Sequence, residues 1–288
     1  MISFIDFLQD LTNPLLSFLP KALIASIIAA IVCGVVGNHV VLRGMAFIGD
    51  AVSHSVFPGI AFAFLFQGSL LLGGALAGLI TAILVAVFSQ NRRLKEDSVI
   101  GVFFAGAFAL GVLVISLVPG YSGSLQQFLF GSIVGISNLD IYISSFVGIV
   151  ILFVCFILHK EFTAVNLDRE TAKILGINVF MLDLILYIMV TFAVVISIQT
   201  IGNILVLALL VTPAATSRLL TDKMSVMMFM SPVIGILSAF IGIYLSWSLD
   251  VPTGATIVLV TTVCFLIAWV FAPKHGILLN IIRLITKK

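Results

Sequence analysis

Asp50 and His54 lie four residues apart in Gly49-Asp50-Ala51-Val52-Ser53-His54, within a stretch otherwise apolar enough to cross a bilayer. Four residues is about one helical turn, so the two side chains share a face with Cβ atoms roughly 5–6 Å apart. A carboxylate and an imidazole so placed form a two-ligand claw for a divalent cation. Ionisable groups in hydrocarbon are costly and by default mark a functional pathway. The competing reading is an Asp–His hydrogen bond that pins one helix to its neighbour. Burying a charge merely for packing is expensive, which favours the ligand reading. Pro58 adds to it: proline has no N–H, so the carbonyl of His54 loses its helical donor and becomes a third hard oxygen beside the imidazole. One carboxylate and one imidazole per chain cannot close a site. Two copies facing across a dimer axis would supply two oxygens and two nitrogens, a donor set suited to Mn²⁺, Fe²⁺ or Zn²⁺. Incomplete coordination is useful where the ion must also leave.

The elements that must hold this pair are membrane helices. Of 288 residues, 61% are hydrophobic and 9% are charged, a balance outside that of soluble domains. At about 20 apolar residues per crossing, nine spans are expected, near 21–41, 44–66, 69–89, 99–118, 139–158, 178–200, 202–217, 224–248 and 254–272. The seventh is short and broken by Pro213, so eight remains an alternative. Residues 1–20 read as an interfacial amphipathic segment, with Phe4, Phe7, Leu8, Leu11 and Leu15 on one face. Residues 124–136 are too short to span and suit a re-entrant or surface helix. Gly74 and Gly78 form a small-residue face, and Gly34, Gly37, Gly101 and Gly106 permit close helix approach. No internal repeat is evident, which argues against a carrier built from two similar halves. The chain reads as one transmembrane domain over 1–288, with 273–288 as a cytoplasmic tail.

Lys and Arg set the orientation. With nine spans and the C-terminus inside, 13 of the 14 basic residues fall on the cytoplasmic side, leaving only Lys21 outside. The N-terminus is then outside. No basic n-region precedes the first apolar stretch, so no signal peptide is read there. The net charge of +2 comes from scattered residues and gives no reason to expect nucleic acid. Cys33, Cys155 and Cys264 each sit in an apolar run without metal-ligand spacing and read as small buried residues. No phosphate-binding glycine loop and no soluble stretch of nucleotide-domain size occurs, so ATP-driven work would need another chain to hydrolyse ATP.

Two further segments carry polar groups. Residues 166–177, Asn-Leu-Asp-Arg-Glu-Thr-Ala-Lys-Ile-Leu-Gly-Ile, alternate in charge and offer Leu167, Ile174 and Leu175 as an apolar stripe ended by Gly176. They predict a helix of one to two turns lying across the inner surface. By residues alone it reads first as a solvated connector and second as a docking helix. Gln199-Thr200-Ile201-Gly202-Asn203 and Leu210-Val211-Thr212-Pro213-Ala214-Ala215-Thr216 flank a hairpin, where Pro213 releases the carbonyl of Leu209. Gln199 and Asn203 suit helix caps as well as an outer vestibule. His39, His159 and His275 lie at inner span ends. No nucleophile–His or paired-carboxylate arrangement is within reach, so no enzyme chemistry on a covalent substrate is expected.

Taken together, Val41-Leu42-Arg43-Gly44-Met45 leading into the Asp50/His54 run, Leu129-Phe130-Gly131-Ser132, Ala172 with Gly176, and Thr212-Pro213-Ala214-Ala215-Thr216 mark a resemblance. The chain, from about residue 20 to 273, resembles the membrane subunits of ATP-binding-cassette importers for manganese, zinc or iron, the ABC-3 type. The resemblance implies an all-α fold like a reduced vitamin B12 importer (type II) permease that lacks its first helix. It further implies a homodimer in the bacterial plasma membrane, two cytoplasmic ATPase subunits carrying ATP, and an extracellular metal-binding lipoprotein. Asp50 and His54 become the expected intramembrane metal contacts. Residues 166–177 become the coupling helix, with Asp168, Glu170, Ala172 and Gly176 as its marked positions, and Pro58 and Pro213 become helix breaks at the pathway. Zinc members carry another histidine in the fourth span before a Leu-Gly pair; here Phe103 to Gly111 contains none. The transported ion expected is therefore Mn²⁺, then Fe²⁺, with Zn²⁺ third. The rival readings are an ion-coupled carrier or channel working without ATP, and a permease for a metal chelate, which would need a wider cavity.

Overall fold

The computed structural model describes residues 3–90, 94, 96–116, 135–273 and 276. Among them every regular element is helical. The expected surface helix at 124–136 apart from its last two residues, the Leu129–Ser132 turn, His275 and most of the 273–288 tail lie outside the described residues.

The helices are α1 (Phe4–Asp10), α2 (Phe18–Leu42), α3 (Ile48–Ser55), α4 (Phe57–Leu65), α5 (Leu70–Phe88), α6 (Glu96–Ser116), α7 (Asn138–Ile157), α8 (His159–Leu167), α9 (Arg169–Ile174), α10 (Val179–Ile201), α11 (Asn203–Leu220), α12 (Met224–Leu249) and α13 (Thr253–Phe271). Among the described residues, eight stretches are long and apolar enough to cross a membrane, the second being Ile48–Leu65 taken as one unit. The expected seventh span corresponds to the 18-residue helix α11, in which Leu205–Leu220 forms an apolar helix among the described residues. It runs the depth of the bundle. Leu205 near its start lies beside Gly254 at the beginning of α13, and Ser217 near its end meets Asn38 of α2. At about 1.5 Å per residue, 18 residues reach roughly 27 Å.

Local sequence explains where the helices break. Pro58 occupies the first turn of α4, and the second span divides at Val56 because the proline offers no N–H to the turn before it. Ser137 and Asp140 form a reciprocal capping box that starts α7, and Asn178 caps α10 by accepting from the Met181 N–H at 3.1 Å. Gly202, at φ +84°, divides α10 from α11 in a conformation that L side chains rarely adopt.

The core sits where α2, α10, α11 and α12 pack together. Gly37 permits the closest approach: a Cβ there would overlap the Leu210 carbonyl oxygen of α11. That carbonyl stands one turn before Pro213, so the proline and the glycine serve one crossing. Gly101 and Gly106 of α6, by contrast, face open space within a single chain. Helix α1 does more than lie in an interface. Phe7 is fully buried against Phe240 and Tyr244 of α12, and Asp10 accepts a 2.8 Å hydrogen bond from the Trp247 indole.

Candidate metal site and coupling segment

Helix α3 begins just past a tight reversal. Arg43 caps α2, Gly44 takes φ +71°, and the chain re-enters the bundle at Ile48. Ile48, Ala51, Val52 and Ser55 turn into the core and fix the rotation of α3. Asp50 and His54 consequently share the opposite, more open face. The His54 Nε2 to Asp50 Oδ1 distance is 3.5 Å, with 21% of the imidazole and 38% of the carboxylate side chain exposed. That spacing is longer than a good hydrogen bond and leaves lone pairs for a third body. The imidazole lies 5.4 Å from the Phe104 ring and 5.3 Å from Phe108, both on α6. The two aromatics form an apolar wall that orients the ring. Among the described residues no third His, Cys, Asp or Glu joins the pair. Among the described residues the pair stands as a set of two donor side chains.

Pro58 lines a separate apolar cavity of about 730 Å³ between α4, α5 and α6, which Asp50 and His54 do not enter. Pro213 is buried within α11, away from that cavity. The side chains of Gln199 and Asn203 lie outside the described set. Cys33 and Cys155 are buried and unpaired by disulfide.

The 166–177 segment folds as the end of α8 followed by the short helix α9. Asp168 is its N-cap, accepting from the Thr171 hydroxyl and from the Glu170 N–H at 3.0 Å. The Thr171 hydroxyl, then the Glu170 amide, hold the Asp168 carboxyl below the usual carboxylate range. Gly176 ends the helix at φ +82°. Ala172 is buried beneath α9, whereas Ile174 and Leu175 are 85% and 70% exposed, and Leu167 is also exposed.

Sequence reasoning left one cluster unread. Arg43 donates to Asp183 at 2.5 Å and to the Asn166 side chain at 2.8 Å. Arg169 pairs with both Asp183 and Glu96. Asn166 in turn contacts the His39 ring at 3.1 Å, which draws that buried histidine into the network rather than toward a metal. The signal for this cluster was Asp183, a carboxylate in an apolar run, which needs a cation to be tolerated there. Arg43 and Arg169 were the basic residues at the same end.

Comparison with known proteins follows the same lines. Residues 16–272 match the ABC 3 transport family. The chain is 39% identical over 262 residues to the manganese transport system membrane protein MntC of Halalkalibacterium halodurans, covering 91% of this chain and 90% of that one. A probable iron transport system membrane protein of Haemophilus influenzae is 36% identical over 261 residues, covering 91% and 92%. Among solved structures, PsaBC from Streptococcus pneumoniae in complex with Fab superposes with a TM-score of 0.83 at 34% identity, covering 95% of this chain and 98% of that one. The chain belongs to the ABC 3 transport family, as an integral-membrane permease component of a transporter rather than an enzyme.

Proposed function

We propose that this permease imports a divalent transition-metal ion, Mn²⁺ first and Fe²⁺ second, between two copies of itself at Asp50 and His54. The observation that carries this reading is the pair itself. It is held on the open face of α3, too far apart to satisfy itself, and no third ligand side chain joins it among the described residues. A second copy presenting the same face would bring the set to two carboxylates and two imidazoles. Gly101, one turn before Phe104 on α6, has open space where a Cβ would sit and leaves room for the second copy's helix. The manganese assignment draws on the relatives named for manganese, and on α6, which borders His54 and carries no additional histidine.

Two cytoplasmic ATPase subunits would hold ATP and dock on 166–177, where Leu167, Ile174 and Leu175 stand exposed around a capped helix. An extracellular metal-binding lipoprotein would deliver the ion. The C-terminus would be cytoplasmic and the N-terminus outside. This orientation is supported by Arg43, Asn166, Arg169 and Asp183 meeting at one end of the bundle, the end to which Ser217 brings Arg218.

The test is uptake by the assembled transporter, with its ATPase and binding protein, in proteoliposomes. Asp50→Ala and His54→Ala should each lose at least about 100-fold of Mn²⁺ uptake, since changing even a side chain that only orients a metal ligand costs about 10–100-fold. Normal uptake by either variant would remove the site. Robust gradient-driven Mn²⁺ flux through the purified chain without ATPase would replace the ATP-driven reading with an ion-coupled carrier.

A further inference from the structure

We infer that Arg169 is a positioning residue whose forked guanidinium ties helix α9 to both walls of the Asp50/His54 site. The inference rests on the reading of 166–177 as the segment that docks the ATPase.

One guanidinium reaches two carboxylates on two different helices. Its Nη1 pairs with Glu96, in the first turn of α6, and its Nη2 pairs with Asp183, in the first turns of α10. Each arm leads to one side of the metal pair. Along the first, Glu96 lies eight residues before Phe104, about 12 Å down a continuous helix, and Phe104 and Phe108 form the wall against His54. Along the second, Asp183 also holds Arg43, whose side chain is 5% exposed against 2% for Asp183. Arg43 closes α2, and only the Gly44 reversal separates it from α3 and Asp50. A shift of α9 thus acts on the wall behind His54 through Glu96, and on the helix that bears Asp50 through Asp183 and Arg43.

The chemistry suits a linkage that stays intact while it moves. Two arginines face two carboxylates, so the network is balanced in charge, and breaking it would strand a buried ion. The planar fork of arginine serves two acceptors at once, which a lysine point charge does not reproduce. The network also has space to swing. A cavity of about 570 Å³ lies alongside it, bounded by Arg43, Met45, Glu96, Asn166 and Arg169. A staple that only stabilised the fold would gain nothing from joining the exposed docking helix to these two helices in particular.

The experiment measures Mn²⁺ ions imported per ATP hydrolysed by the complete transporter in proteoliposomes. Glu96→Gln cuts one arm and leaves Arg169–Asp183–Arg43 in place. Import per ATP should fall about ten-fold, within the usual range of coupling between sites, while ATPase turnover stays within about two-fold. Glu96→Asp, which keeps the carboxylate, should recover at least about half of the wild-type ratio. Arg169→Gln, which cuts both arms, should lower the ratio further than Glu96→Gln. An unchanged ratio in Glu96→Gln would overturn the inference. So would a parallel fall in import and ATPase turnover, which would make the network a support for docking only. Should Arg169→Gln fail to assemble, the two Glu96 variants decide the matter. If the wild-type transporter imports Mn²⁺ without depending on ATP, the docking reading itself fails, and that result appears before any variant is made.

Discussion

Asn38, Ser217 and Ser231 meet where α2, α11 and α12 cross, and one helix away Asp50 and His54 share a face of α3. Both are polar groups inside an apolar bundle, and they are built in opposite ways. The Asn38 carboxamide oxygen accepts from Ser231 at 2.8 Å and from Ser217 at 3.3 Å, and its amide donates to the Gly34 carbonyl at 2.9 Å. The two serine hydroxyls lie 2.7 Å apart, and all three residues are fully buried. Every group there has a partner, so the cluster fixes three helices and asks for nothing more. The Asp50/His54 pair is 3.5 Å apart and partly open, and on the proposed reading it awaits ligands from elsewhere. A polar group that serves packing is closed by its neighbours. A polar group that serves passage is left with unspent lone pairs, because the cargo must find and then leave them.

The widest separation between the two clusters should appear in uptake. Asp50→Asn removes the charge while keeping the shape, and in the assembled transporter it should lower Mn²⁺ uptake at least about 100-fold. Its thermal midpoint in detergent should move little, since a half-exposed carboxylate on an open face holds no helix in place. A large drop in that midpoint with uptake per folded transporter preserved would invert the comparison and make Asp50 a packing residue.

Stability should separate them the other way. Gly37→Ala places a methyl group into the Leu210 carbonyl oxygen, so α2 and α11 must move apart next to the closed cluster. Overpacking of this kind typically costs about 1–3 kcal/mol or more. The variant should show a clearly lower thermal midpoint and poor yield of folded protein. Gly106→Ala, on the open face of α6, meets nothing within one chain and should leave the thermal midpoint of the isolated chain unchanged. Equal behaviour of the two glycine variants would break the distinction between the packed and the open parts of the bundle.

How much of this was readable beforehand follows from the type of signal. The shared face of Asp50 and His54 was legible because charge in an apolar run is rare and because a spacing of four fixes a helix face. The division near Pro58 and the capped helix over 166–177 were legible because proline, Asp168 and Gly176 act through their own backbone. The seventh span was legible by position; Pro213, the residue that weakened it in the sequence, is carried inside the continuous helix α11. The Arg43–Asp183–Arg169–Glu96 network was not legible, because its members are up to 140 residues apart and only the folded bundle brings them together. The Asn38 cluster escaped for the same reason. A lone asparagine and two serines in apolar helices are common, and nothing in their spacing announces that they converge. Gly101 and Gly106 of α6 fit the small-residue pattern, yet within one chain a Cβ at either meets nothing, and Gly106 lines the cavity beside Pro58.

The smallest effect belongs to the closed cluster. Asn38→Ala removes the shared acceptor, but both serines keep an acceptor: Ser217 has the Ala214 carbonyl at 2.8 Å, Ser231 has the Met227 carbonyl at 2.9 Å, and either hydroxyl can instead donate to the other while its neighbour keeps its carbonyl. No donor is therefore left without an acceptor, and the loss should stay near the low end for an intramembrane hydrogen-bond network, about 1 kcal/mol. Thermal unfolding of the purified permease should show a midpoint lower by about 2–4 °C. Mn²⁺ uptake per folded transporter should match the wild type, because the cluster lies on the far side of α3's packing face from the open pair. If Asn38→Ala were to lose uptake without losing stability, the closed cluster would belong to the passage as well, and closure by neighbours would no longer distinguish a helix pin from a route for the ion.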